Sequence, residues 1–120
     1  MARQSLPESF RHAFEGIACA FRERNMRIEA GFAVAAVLLG ILLRIDAASW
    51  LAVVLCIGVV FALEALNTAM EAVVDLASPD YHELAKRAKD CAAGAVLIMS
   101  IVSLVVACIV YLPRIGALLC

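Results

Sequence analysis

The sequence predicts an all-α integral membrane protein, with three transmembrane helices behind an N-terminal amphipathic helix that lies in the membrane interface. Three observations carry this. Hydrophobic residues make up 65% of the 120-residue chain, and mean hydropathy is +0.97, well above the level of a soluble globular domain. Three long apolar segments lie between Ile28 and Leu112, as bilayer spans require. Ahead of them, apolar residues recur at helical intervals. With no repeat, low-complexity stretch or linker, residues 1–120 read as one domain. A net charge of -1 gives no sign of nucleic-acid binding.

Residues 1–5, MARQS, are expected to fray. From Leu6 the apolar positions are Leu6, Phe10, Phe14, Ile17 and Phe21, separated by four and three residues on one helical stripe. Glu8, Arg11, His12, Glu15, Arg22 and Glu23 stand between them. Pro7 suits a first helical turn. This surface helix, about residues 6–26, is too polar to span lipid and is expected to lie in the interface. Packing on a soluble partner is the alternative. The first thirty residues hold charges throughout and no signal-peptide pattern, so a transmembrane segment is expected to direct insertion.

The first span, about 28–44, has roughly 14 uncharged residues, fewer than the ~20 that cross a bilayer. Arg27, Glu29 and Arg44 therefore snorkel or face protein. RIDAAS reads as a tight turn, with Asp46 or Ser49 as the next helix cap. The second span, about 48–76, is long enough to cross and protrude. SPDYH breaks it. The third, about 84–112, contains the uncharged run from Cys91 to Leu112, which Pro113 is expected to end. Trp50 and Tyr111 are placed as interfacial aromatics. The five cysteines, Cys19, Cys56, Cys91, Cys108 and Cys120, form no CxxC pair and read as small hydrophobes.

Arg3, Arg11, Arg22, Arg24 and Arg27 precede the first span, and Lys86, Arg87 and Lys89 follow the second. The other connection holds only Arg44, and the tail only Arg114. The positive-inside rule then puts the N-terminus and the 78–90 connection in the cytoplasm.

The second span ends in a polar stripe. At about 100° per residue, Asn67, Glu71 and Asp75 fall within about 60° of Glu64 around the helix. Charges in such a place face protein, a cavity or an ion, since lipid would cost several kcal/mol each. A salt-bridge network with the nearby Lys and Arg residues is the structural alternative. Carboxylates without a His or Cys cluster suit a hard cation such as Mg²⁺, which completes its shell with phosphate and water oxygens. A carboxylate also suits proton abstraction from a hydroxyl that attacks a γ-phosphate. No GxxxxGK[ST] or GxGxxG loop occurs, so a nucleotide site would be built from helices and metal.

The runs EALNTAMEAVVD and YHELAKRAKDCAAGAVL resemble the prokaryotic diacylglycerol kinase family, which includes the undecaprenol kinases, and the similarity extends from about Phe10 to Ile115. The resemblance implies a small homotrimeric kinase of the bacterial inner membrane, using ATP and Mg²⁺ to phosphorylate a lipid alcohol, with active sites between protomers. Such an enzyme would serve phospholipid or lipid-carrier recycling. By resemblance, Glu64 is the general base and Asn67 the amide beside it. Glu71 and Glu23 are the metal ligands. Asp80, Tyr81, His82, Lys89 and Asp90 are nucleotide contacts, with His12 as a further candidate. Arg3 and Arg11 are both candidates for a nucleotide-binding arginine. Asp75 is given a structural role, and Glu29 is a candidate lining of the lipid groove. Undecaprenol is favoured as acceptor, with diacylglycerol second, because ERN, AKDCAAGAV and YLPRI look closer to the undecaprenol kinase branch. Two readings compete with the kinase. One is a small proton- or cation-coupled transporter, since acids in membrane helices also mark ion paths. The other is a non-catalytic helical interaction protein packing through CAAGA.

Overall fold

The computed structural model describes residues 3–120. It consists of four helices, α1 (Leu6–Ala20), α2 (Arg24–Leu42), α3 (Ala47–Ala77) and α4 (Glu83–Leu119), and the described residues contain no strand. Ser5 does not fray. It caps α1 in a capping box, its backbone N–H donating to Glu8 Oε2 (2.9 Å) and its hydroxyl accepting from Glu8 N (3.4 Å). These bonds hold the Glu8 carboxyl below the usual range, the Ser5 backbone N–H contributing most. Residues 1 and 2, where fraying was also expected, lie outside the described residues. Leu6, Phe10, Phe14 and Ile17 are all exposed along one stripe, the face that an interfacial helix sinks into lipid.

The expected single helix over 6–26 is divided. The N–H groups of Arg22 and Glu23 turn back to the carbonyls three residues earlier, Cys19 and Ala20, both at 3.1 Å, tightening the last turn. Glu23 is extended and becomes the N-cap of α2. At the corner, Phe21 stacks edge-on against Phe61 of α3, with ring centroids 5.6 Å apart, so aromatic packing fixes where the chain bends.

The α2–α3 turn is a Schellman closure. Ile45 N–H reaches Gly40 O (3.2 Å), and Arg44 N–H reaches Ile41 O (3.3 Å). Arg44 takes the left-handed conformation (φ 51°), usually left to glycine at this place. Asp46 then caps α3 by accepting from Ser49 N (3.3 Å). At the opposite end Ser78 closes α3, its hydroxyl donating to Asp80 O (2.9 Å). His82 caps α4, its Nδ1 accepting from Leu84 N (3.1 Å).

Pro113 does not end the third span. The helix runs through it to Leu119. A proline removes one helical donor and crowds the carbonyl four residues back, but membrane helices tolerate this where side chains re-satisfy the loosened backbone. The carbonyl left without a helical donor is that of Ile109; Arg114 Nη1 donates to the next one, Val110 O (2.7 Å).

α4 lies along α3, with α2 against both. Ile45, Val53, Val110 and Tyr111 form the core beside the α2–α3 turn. Gly40 is required there: a Cβ would come within 2.8 Å of the Trp50 ring. Trp50 thus fills a gap between helices. Tyr111 is also packed inward; it is buried, and its hydroxyl donates to Ala36 O (2.7 Å). Only 11%, 22% and 17% of the apolar windows of α2, α3 and α4 are covered within the chain, so most of their apolar surface is left to lipid or to other subunits. The principal extent of 60 Å exceeds the ~30 Å of a hydrocarbon core, so parts of the molecule extend beyond it.

Candidate active site

α3 carries its polar stripe in two parts. Glu64 and Asn67 are buried, with 3% and 7% exposure, whereas Glu71 and Asp75 emerge into solvent. Asn67 joins the parts, its Nδ2 donating to Glu71 Oε1 (3.3 Å). Its Oδ1 is buried without a partner. Among the described residues, neither Glu64 nor Glu71 has a Lys or Arg partner within ion-pair distance, so the salt-bridge alternative holds at Asp75, which pairs with Lys89, and not along the rest of the stripe. Instead a second carboxylate, Glu29 of α2, lines the same cleft as Glu64. Like charges on the walls of one cleft repel more strongly than in water, and a cation, a proton or a polar ligand between them relieves this.

Two cavities meet at this point. A polar cleft of about 280 Å³ has Glu64 and Asn67 from α3, Glu29 and Asn25 from α2, and Ser100 from α4 in its walls. A groove of about 340 Å³ continues between the same three helices, lined mostly by apolar side chains such as Phe32, Val53, Ile57 and Leu104. Glu29 and Ser100 belong to both, and Ser100 Oγ donates to Glu29 Oε1 (3.4 Å) at the junction. An apolar body with one polar end fits this sequence of walls. Glu29, a groove candidate from the sequence, stands at the junction.

The remaining site candidates lie outside these cavities. Lys89 pairs with Asp75 (2.5 Å) and also senses the charge of Glu71. This bond ties α3 to α4 across the 78–82 connection and agrees with a structural role for Asp75. Asp90 is engaged by Lys86 (2.6 Å). Tyr81 is exposed at 81%, Asp80 offers its carbonyl to Ser78, and His82 is occupied as a helix cap. On α1, His12 Nδ1 contacts Glu15 (3.3 Å), as does Arg11 (3.7 Å), while Arg3 is exposed.

Among the described residues no three His, Cys, Asp or Glu side chains gather as a metal cage. Mg²⁺ does not need one, since it binds through one or two carboxylates with phosphate and water. Glu23 makes no side-chain cap bond at the start of α2, and Glu71 accepts only from Asn67. Among the described residues both leave carboxylate oxygens without a partner, so the donor set fits a hard cation. Sequence reading passed over Ser100 and Ser103, which line the groove. Their only signal is a pair of serines three apart, SIVS, inside an apolar helix.

Residues 11–111 match the family described as prokaryotic diacylglycerol kinase. An undecaprenol kinase of Bacillus subtilis is 42% identical over 89% of this chain and 88% of its own length. A diacylglycerol kinase of Synechocystis is 44% identical over 92% of this chain and 65% of its own length. A diacylglycerol kinase of Escherichia coli is 35% identical over 88% of this chain and 87% of its own length. The chain belongs to the prokaryotic diacylglycerol kinase family. It is a membrane-embedded lipid kinase, and neither the family match nor these relatives support the transporter reading.

Proposed function

We propose that this chain transfers the γ-phosphoryl group of ATP to the hydroxyl of a membrane lipid, with undecaprenol as the favoured acceptor and diacylglycerol as the second. The observation that carries the site assignment is Glu64, 3% exposed and without a Lys or Arg partner among the described residues, in a cleft that opens into an apolar groove. In this reading the lipid body occupies the groove and its hydroxyl meets Glu64 in the cleft. Glu64 accepts the hydroxyl proton while the hydroxyl oxygen bonds to the γ-phosphorus. The bond from that phosphorus to the β–γ bridging oxygen breaks, and ADP leaves. Asn67 holds Glu71 in place beside the base. Glu71 and Glu23 would hold Mg²⁺, which when bound neutralises phosphate charge. Lys89 exchanges Asp75 for phosphate oxygens. Asp80, Tyr81, His82, Asp90 and His12 are assigned to the nucleotide's surroundings, with either Arg3 or Arg11 contributing a guanidinium.

The same reading makes residues 1–120 one kinase domain, with the N-terminus and the 78–90 connection on the cytoplasmic side of a bacterial inner membrane, where ATP is available. It also makes the working unit a homotrimer with shared sites. The largely uncovered apolar faces of α2, α3 and α4 support further packing between protomers.

ADP release from Mg·ATP, measured in mixed micelles against a panel of lipids at equal surface concentration, tests the function. The expected result is release that depends on a lipid alcohol, with kcat/KM higher for undecaprenol than for diacylglycerol. Lipid-independent release contradicts the function, and a tenfold or greater preference for diacylglycerol contradicts the ordering. Mixed oligomers of Glu23→Gln and Glu71→Gln chains test the shared sites. Partial recovery is expected, and no recovery in verified hetero-oligomers places each site within one chain.

A further inference from the structure

The lipid groove contains a polar group that the reaction does not use. Ser103 lies on the groove wall, and its Oγ is buried without a hydrogen-bond partner. A serine in a helix ordinarily satisfies itself by donating to the carbonyl four residues back, and Ser103 does not. Ser100, one turn toward the polar cleft and on the same face of α4, donates to Glu29 at the cleft–groove junction. The two hydroxyls therefore stand about 4.5 Å apart along the helix axis, the inner one engaged and the outer one free. Beyond Ser103 the groove ends in apolar side chains and Tyr111, whose hydroxyl is already committed to Ala36 O.

We propose that Ser103 is a specificity-determining residue, which turns into the groove to donate a hydrogen bond to an ester carbonyl of an acylglycerol acceptor. This rests on the lipid kinase reading above. With the reacting hydroxyl at Glu64, an acylglycerol carries its ester carbonyls only a few bonds farther into the groove, in the direction in which Ser103 follows Ser100. A change between staggered χ1 wells reorients the serine oxygen. A polyprenol has no oxygen beyond its hydroxyl and leaves Ser103 unused. The residue thus gives a groove of otherwise undiscriminating hydrocarbon walls a means of accepting diacylglycerol beside a polyprenol.

The test compares dioleoylglycerol, its dialkyl ether analogue without carbonyls, and undecaprenol, using the full chain in micelles. Ser103→Ala should lower kcat/KM for dioleoylglycerol by about fivefold to tenfold, the effect of one neutral hydrogen bond. The ether and undecaprenol should be unaffected, and Ser103→Thr, which keeps the hydroxyl, should retain use of the ester. An equal loss on all three lipids, or no loss on the ester, overturns the proposal. Should Ser103→Ala not fold, the wild-type protein decides: preference for ester over ether by a similar factor supports the proposal, and equal use overturns it. Absence of lipid-dependent ADP release by the wild-type protein with every lipid overturns the kinase reading as well, and so is distinguishable from failure of the Ser103 assignment alone.

Discussion

The two ends of α3 treat polar groups in opposite ways. At the Asp46 end they are matched. Arg114 bonds Val110 O, Asp46 Oδ1 (3.0 Å) and Ser49 Oγ (3.4 Å), and Tyr111 bonds Ala36 O. Around them Gly40, Ile45, Val53 and Trp50 close the bundle. At the Glu64 end, the Glu64 carboxyl lines the cleft with no side-chain hydrogen bond or ion pair among the described residues, and the Asn67 amide oxygen is buried without a partner. Buried polar groups without partners reduce stability, so a fold that satisfies one end and not the other has reserved the second for something that arrives. The matched end holds the helices in register. Binding and reaction are proposed for the unmatched end.

Substitutions at each end should therefore fail differently. The largest effect is expected at the unmatched end. Glu71→Gln or Glu23→Gln should abolish turnover at saturating Mg²⁺ while the helices persist and the elution volume is unchanged, as circular dichroism and gel filtration would report. Near-normal activity of Glu71→Gln would remove it from the metal site. At the matched end the loss should be one of stability. Gly40→Leu drives a side chain into Trp50, and overpacking of this kind costs roughly 1–3 kcal/mol, measurable by denaturation in micelles. Tyr111→Phe removes a single neutral hydrogen bond and should cost about 0.5–1.5 kcal/mol with kcat unchanged. The smallest effect is expected from Asp46→Asn, and it should depend on pH. The hydrogen bonds from Ser49, and secondarily the Arg114 charge, lower the Asp46 carboxyl from its ordinary 3.8. A lowered folded value means that the charge stabilises above the ordinary value, and that this is lost as pH falls through the folded one. The Tm gap between Asp46→Asn and the native chain should therefore be present at neutral pH and close in acid.

The membrane fold was readable because its signals are local and repeated. Three apolar runs and the Leu6–Phe21 stripe each specify a helix without reference to distant residues. Legibility failed where a tertiary contact decided the outcome. Phe21 meets Phe61 and ends α1 early. α4 runs through Pro113 to Leu119, with Arg114 bonding Val110 O beside it. Tyr111 turns inward to Ala36, although its position in the sequence suits an interface. At the site, the stripe from Glu64 to Asp75 was legible from helical spacing. Its division into a buried pair and an exposed pair was not, because this depends on how far α2 and α4 cover α3. Ser100 and Ser103 gave no sign of what they line, since the groove exists only once three helices converge.

Glu64 is proposed to face the cleft without an ion-pair partner among the described residues because the lipid hydroxyl is its partner. Steady-state kinetics, ATP affinity and denaturation of Glu64→Gln, measured on one preparation, test it most directly. General bases contribute about 10²–10⁴-fold, so kcat should fall by that much while ATP affinity is nearly unchanged. The variant should be at least as stable as the native chain, because a buried like-charged carboxylate has been replaced by a neutral amide. A variant that keeps kcat but loses ATP affinity, or one that unfolds, would contradict the account and make Glu64 a nucleotide-binding or structural residue.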